Sequence, residues 1–183
     1  MALFGFKKII FESLPFLLIA SLISILGGNL LHTLLDKLIE TPYFLLLIPS
    51  INAVSGNIGS IFSSRITSAL HTGTIEPKFG RYKELNYNII MICILCFISF
   101  FTLAVLSYII TTILNISISI KKVIIISIFL SSIFSLTIVL VSTSAAFLSF
   151  KKGLDPDNIV IPILTTVCDL VGILSIVFLV LVI

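Results

Sequence analysis

Charged residues are scarce in this sequence. Asp, Glu, Lys and Arg together make up 10% of the 183 residues, whereas hydrophobic residues make up 58% and the mean hydropathy is +1.30. So few polar side chains cannot cover the surface of a water-soluble globule of this length. A soluble fold is therefore excluded, and the lipid bilayer is the expected solvent.

A basic surface that could bind nucleic acid is also lacking. The net charge is only +3, and Lys and Arg occur in short clusters between long apolar runs rather than along one face. Nucleic acid is therefore excluded as a partner.

Cysteine is equally sparse. Cys93, Cys96 and Cys168 all lie in apolar runs, where Cys usually serves as a small hydrophobe. Cys93 and Cys96 form a C-x-x-C pair, but no second Cys or His pair lies nearby to complete a zinc site, and no βαβ pattern suggests a redox domain. The cysteines thus predict neither kind of site.

Long apolar runs dominate instead. A membrane-spanning helix needs ~20 mainly apolar residues, and polar residues divide the chain into five such segments, at 9–35, 43–70, 85–111, 123–150 and 156–183. We expect an all-α bundle of five transmembrane helices, forming one membrane domain over residues 1–183. The connections are short, so we expect no separate soluble regulatory domain.

The first segment begins as a signal peptide would, with Lys7 and Lys8 before apolar residues. Glu12 and Pro15 occur early in it, however, and the apolar stretch continues past Gly28 without a small-residue cleavage site. We interpret it as a retained first helix.

The basic residues near the helix ends predict the orientation, because cytoplasmic loops carry an excess of Lys and Arg. With the N-terminus inside and the C-terminus outside, only Lys37, Lys121 and Lys122 lie outside. The inner side then carries the larger group, Lys7, Lys8, Lys78, Arg81, Lys83, Lys151 and Lys152.

The second segment carries many small and polar residues for a membrane span. Its sequence from 49 to 73, PSINAVSGNIGSIFSSRITSALHTG, is called here the Gly-Asn motif. Close packing on another helix explains Gly and Ser but explains Asn52 and Asn57 poorly, because unpaired amides are costly in hydrocarbon. In the alternative, Pro49 and the glycines distort the helix beside an aqueous cavity, where carbonyl and amide oxygens face a cation. Arg65 is then a snorkelling residue near the interface.

The fifth segment carries the second motif, GLDPDNIVIPILTTVCDLVG at 153–172, called here the Asp-Pro motif. Asp155 fits an N-cap, Pro156 the first helical turn, and Asp157 the positive end of the helix dipole. Asp169 lies ~20 Å further along a helix, near the bilayer midplane. An acidic residue there costs ~2.5–3.5 kcal/mol, so it should face a cavity or a partner.

A narrow stripe on the fifth helix joins the polar and small residues, which are spaced three or four apart. It is the best candidate for a pore-facing surface and consists of Asn158, Pro162, Thr165, Asp169 and Gly172.

Other ionisable residues are less informative. Glu12 is either a solvated interfacial residue or part of a cation entrance. His32 and His71 lie near loop ends without a second ligand at metal-binding spacing, which favours interfacial roles.

Together, the two motifs resemble those of the MgtE and solute-carrier magnesium transporter superfamily, over nearly the whole chain. The Ser-Arg continuation of the Gly-Asn motif is closer to the eukaryotic type. Ser55 and Ile61 depart from the Gly and Gln usual in bacterial members, and the large cytoplasmic magnesium-sensing domains of those members have no counterpart in this sequence.

The resemblance implies a homodimeric, magnesium-selective, channel-like pathway in the cell membrane, and no enzymatic activity. Asp169 corresponds to the cation-site residue, and Gly56 and Asn57 belong to the matching pore motif. With the stripe and the Gly-Asn motif, the expected metal-binding set is Asp169, Asn57, Gly56, Asn52, Thr165 and Asn158.

Magnesium suits such a site because it prefers octahedral oxygen ligands, keeps several waters and needs only one or two carboxylates. Oxygen ligands admit manganese or cobalt as well. The alternatives are an ion-coupled secondary transporter of a small solute, in which Asp169 binds a proton or sodium, and a membrane subunit that transports nothing. An intramembrane enzyme would need a clustered nucleophile and base, which the sequence does not offer.

Overall fold

The computed structural model describes residues 2–80, 82–116 and 118–182, with side chains from residue 9 onward. The side chains of Lys7 and Lys8, two of the basic residues predicted to lie on the inner side, fall outside the described part. So do all of Arg81 and Ile183.

Within these ranges the chain forms six α-helices and no strand. Their bounds are α1 Ala2–His32, α2 Leu35–Glu40, α3 Pro42–His71, α4 Lys83–Ile113, α5 Ile120–Lys151 and α6 Pro156–Val182. All except the short α2 contain a stretch long and apolar enough to cross a membrane. The prediction of an all-α protein with five spans is confirmed, while the orientation of its termini stays a prediction.

Three helix ends share one C-terminal geometry. After α3, Gly73 has φ +74°, its N–H binds the carbonyl of Leu70 at 3.2 Å, and the next N–H binds the carbonyl of Ala69 at 3.0 Å. These are the two bonds of a Schellman motif. Gly153 closes α5 and Asn115 closes α4 in the same way, with φ +68° and +59°. The tight closure of α5 brings the chain into α6 within a few residues.

The helices pack around α6 and α3. α6 contacts α1, α3 and α5, while α3 also contacts α4 and α5, and α4 packs along α5. The hydrophobic effect does not drive helices together in lipid, so van der Waals packing and interhelical hydrogen bonds stabilise the bundle. Phe100 and Phe134 stack at 5.0 Å between ring centroids, and the buried hydroxyls of Ser63 and Ser142 are hydrogen bonded at 3.1 Å.

Candidate cation site

Asp169 is the midpoint of α6, with thirteen residues of the helix on either side. The midpoint of α3 falls between Gly56 and Asn57. Helices of this length that cross a bilayer symmetrically hold these residues near its midplane. Asp169 of the Asp-Pro motif and the Gly56–Asn57 pair of the Gly-Asn motif therefore come to the same depth.

α3 and α6 run antiparallel and approach closely through glycine. A Cβ added to Gly172 would lie 2.6 Å from Oδ1 of Asn52, closer than real contacts allow. A Cβ on Gly56 would lie 3.8 Å from Cγ2 of Thr165. Some of the small residues therefore allow close helix packing, which is one of the two interpretations of the Gly-Asn motif given above.

Asp169 belongs to the same face of α6 as the residues of this contact. Thr165, four residues earlier, and Gly172, three residues later, both touch α3, so Asp169 occupies the α6 face between them. The Thr165 hydroxyl donates to the carbonyl of Ile161 at 3.0 Å, which leaves its lone pairs available to a cation. Asn52, Thr165 and Asp169 thus supply an amide, a hydroxyl and a carboxylate oxygen along one helix pair.

Asp169 is half-buried, and among the described side chains it has no hydrogen-bond or ion-pair partner. Arg65, a possible counter-charge, forms no ion pair with Asp169; its side chain extends to α4, where Nε donates to Oδ1 of Asn88 at 2.5 Å. An isolated carboxylate is costly at this depth. The carboxylate of Asp169 must therefore be stabilised or neutralised by a group outside the described residues, such as water, a proton, a cation or another subunit.

Asn57 points away from this contact. Its side chain is exposed and has no hydrogen-bond partner among the described residues, although its carbonyl accepts the Ser60 hydroxyl at 2.8 Å. It lies five positions after Asn52, which places the two on different sides of a helix. One copy of the chain does not bring Asn57 to Asp169.

Asn158 is directed to α1. Its Nδ2 donates to Oε2 of Glu12 at 2.9 Å, and its carbonyl accepts the Ser13 hydroxyl at 3.1 Å. Pro162 has no N–H to give that carbonyl its helical bond, so Ser13 replaces the missing donor. Asn158 also lies eleven residues before Asp169, ~16 Å along the helix, too far for one ion to contact both side chains.

A second group of potential ligands, formed by His71, Asp155 and Asp157, lies where α3 ends and α6 begins. One ligand atom from each lies within 4.8 Å of the others, and Nε2 of His71 is 4.0 Å from Oδ1 of Asp155. The same Oδ1 accepts the backbone N–H of Asp157 at 3.1 Å, which confirms Asp155 as the N-cap of α6. His71 and Asp155 are 84 positions apart in the sequence, so their spacing gives no indication of this proximity.

A family model described as MgtE, divalent cation transporter, matches residues 48–179, well over half of the chain. The chain belongs to the MgtE family. Searches of curated proteins and of solved structures gave no match.

The MgtE match begins in α3 and ends in α6, so it includes the helix pair that carries Asn52, Thr165 and Asp169. α1, with Glu12 and Ser13, precedes the matched region. The family and the five apolar helices identify a multi-pass membrane protein of a divalent cation transporter family. The resemblance stated from the two motifs is thereby confirmed.

Proposed function

We propose that this MgtE-family chain conducts Mg²⁺ through a pathway lined by α3 and α6, with Asp169 as the residue that holds the ion. The observation that carries the proposal is the position of Asp169: it is central in its helix, half-buried, and without a partner among the described side chains. A carboxylate so placed is stabilised by a passing cation.

The chemistry of the neighbouring oxygens favours a hard cation. Thr165 and Asn52 offer hydroxyl and amide oxygens on the same pair of helices as Asp169. Mg²⁺ keeps most of its water and takes one or two carboxylates, which this arrangement supplies. Mn²⁺ and Co²⁺ are the competing substrates to test.

We further propose that two copies form the pathway, with the ion at or near the two-fold axis. One chain provides a single midmembrane carboxylate, and a symmetric dimer would provide two. The exposed amide of Asn57 supports this arrangement, because an unpaired amide facing lipid at mid-depth is costly. A second copy would cover it.

Flux into liposomes that contain only this protein and a magnesium-sensitive dye tests the cation site. Asp169→Asn keeps the size of the side chain but removes the charge, so it should reduce Mg²⁺ flux at least about tenfold while the protein still assembles. Asp36→Asn, in the exposed first turn of α2 and outside both groups of potential ligands, is the control and should leave flux near normal. Normal flux in folded Asp169→Asn would refute the assignment.

The same liposomes test the rival mechanism. Ion-coupled solute transport predicts that a proton or sodium gradient changes uptake, whereas passive Mg²⁺ conduction needs neither.

Crosslinking tests the dimer separately. Single cysteines near Asn57 should trap a dimer in a Cys93→Ser background, which removes the exposed native thiol and leaves the buried Cys96 and Cys168. Positions near Gly172 are less suitable because Gly172 is buried against Asn52 within the chain. Failure at every exposed position of α3 would count against a two-fold axis there.

A further inference from the structure

A polar groove lies between the C-terminal part of α3 and the first turns of α4. It has a volume of about 440 Å³, and its walls include Ser64, Arg65, Ser68, Thr72, Glu84 and Asn88. We call it the Arg65 groove. It lies away from the α3–α6 contact that carries Asp169.

We propose that the Arg65 groove binds the phosphodiester headgroup of an anionic phospholipid. Arg65 is an exposed cation with no ion-pair partner among the described residues. Glu84 also lines the groove but does not pair with it, and as an acidic residue in the first turn of α4 it is favoured there by the helix dipole. No described residue therefore supplies the counter-charge of Arg65, which leaves this role to a bound anion.

The guanidinium is held in place by a buried acceptor. Asn88 is 1% exposed, its Oδ1 accepts Nε–H of Arg65 at 2.5 Å, and its Nδ2 donates to the carbonyl of Glu84 at 2.9 Å. With Nε occupied, the two terminal nitrogens of Arg65 remain as a pair of donors. Such a pair matches two oxygens of one phosphate.

Two hydroxyls extend this donor set. Ser64 and Ser68 are exposed, lie four residues apart on one face of α3, and donate no hydrogen bond among the described residues. The Thr72 hydroxyl, in contrast, is bound to the carbonyl of Ser68 at 2.9 Å. Arg65 with the two serines therefore offers several unused donors within one groove.

The depth of Arg65 fits a lipid phosphate. α3 has 30 residues, ~45 Å of helix, whereas the hydrocarbon core is ~30 Å thick. Arg65 lies between eight and nine residues from the helix midpoint, so its backbone is ~13 Å from the midplane of a centred helix. Its long side chain then reaches the headgroup layer, which favours a lipid over a soluble anion.

Native mass spectrometry of the full chain, with phosphatidylglycerol or phosphatidylcholine titrated into the detergent, tests the proposal. The wild type should retain phosphatidylglycerol more tightly. Arg65→Gln should weaken that retention about tenfold, as expected for loss of a charge-assisted bidentate contact. Lys151→Gln removes the same charge at the same end of the bundle and should leave retention unchanged.

Two further variants keep the test decisive if Arg65→Gln fails to fold. Arg65→Lys keeps the charge but loses the fork of donors, and the double variant Ser64→Ala with Ser68→Ala keeps the guanidinium. Each should weaken phosphatidylglycerol retention without loss of assembly. Retention equal to the wild type in both folded variants would overturn the site.

Competition with inorganic phosphate identifies the source of the anion. A large excess should leave the bound lipid in place. Displacement of the lipid by phosphate would show that the groove takes a soluble anion and would overturn the assignment to lipid. An equal loss of retention in Arg65→Gln and Lys151→Gln would show general charge attraction and would also overturn it.

Discussion

Asn52 of α3 lies against the backbone of Gly172 of α6, with its amide oxygen 2.6 Å from the position of a Cβ at residue 172. Any side chain there would force the amide or the helix to move. We expect Gly172→Ala to lower the free energy of unfolding by about 1–3 kcal/mol, the usual cost of overpacking. Unfolding in SDS followed by circular dichroism measures the change.

Gly28→Ala is the matched control, because nothing lies within 4 Å of a Cβ at that position. Its effect should be near zero or slightly favourable, as Ala is the better helix former. A loss as large as that of Gly172→Ala would show that the helix backbone, rather than the contact with Asn52, is responsible.

The hydrogen bond from the Ser13 hydroxyl to the carbonyl of Asn158 should contribute to stability only because residue 162 is proline. Ser13→Ala removes the donor that replaces the missing helical N–H, so we expect a loss of about 0.5–2 kcal/mol of stability. In a Pro162→Ala background the backbone supplies its own N–H, and Ser13→Ala should then cost almost nothing. A double-mutant cycle with zero coupling would refute this compensation.

The turn after α4 uses Asn115 where the turns after α3 and α5 use glycine. Asn115 has φ +59°, a conformation that glycine adopts without strain. Asn115→Gly should therefore stabilise the fold by at most about 1 kcal/mol. Gly153→Ala, with open space around its Cβ but φ +68°, should destabilise by about 1–2 kcal/mol. Thermal unfolding of both variants in detergent compares the two turns.

The loop between α3 and α4 contains an ion pair of Glu76 and Lys78. The hydrogen bond and positive charge of Lys78 lower the pKa of Glu76 below its ordinary 4.5. A carboxyl with a lowered pKa stabilises the folded loop above its unfolded pKa, and that contribution is lost as the pH falls through the folded value. Lys78→Gln should raise the pKa of Glu76 toward 4.5.

Titration of the Glu76 carboxyl by NMR measures this change. Both groups are fully exposed, so high salt should reduce the difference between wild type and variant. A Glu76 pKa that is the same in both proteins at low salt would contradict the role of Lys78.

Hydropathy alone predicted the number and approximate bounds of the long helices, because spanning a bilayer demands long apolar stretches. It gave no sign of α2, whose six residues are too few for a periodic pattern. Asp169 could be assigned to mid-depth because depth follows from counting residues along one helix. Which face of α6 lies against α3 could be seen only from the packing of the two helices.

The polar stripe of α6 shows the limit of reasoning from a single helix. Asn158, Thr165 and Gly172 share a face in projection, but different neighbours cover that face along its length. Asn158 bonds to Glu12 of α1, whereas Thr165 and Gly172 contact α3. The periodicity of a sequence predicts the direction in which a side chain projects from its own helix. It does not predict which neighbouring helix that side chain faces.

The packing of α1 chiefly on α6 has a consequence for synthesis. α1 leaves the ribosome well before α6, its main partner in the described structure, because 123 residues lie between His32 and Pro156. At a translation rate of about 5–20 residues per second, synthesis of these residues takes roughly 6–25 s. During that time α1 remains in the bilayer without its partner, and the Ser13 hydroxyl has no Asn158 carbonyl to bind. Docking of α1 on α6 therefore cannot precede the synthesis of α6.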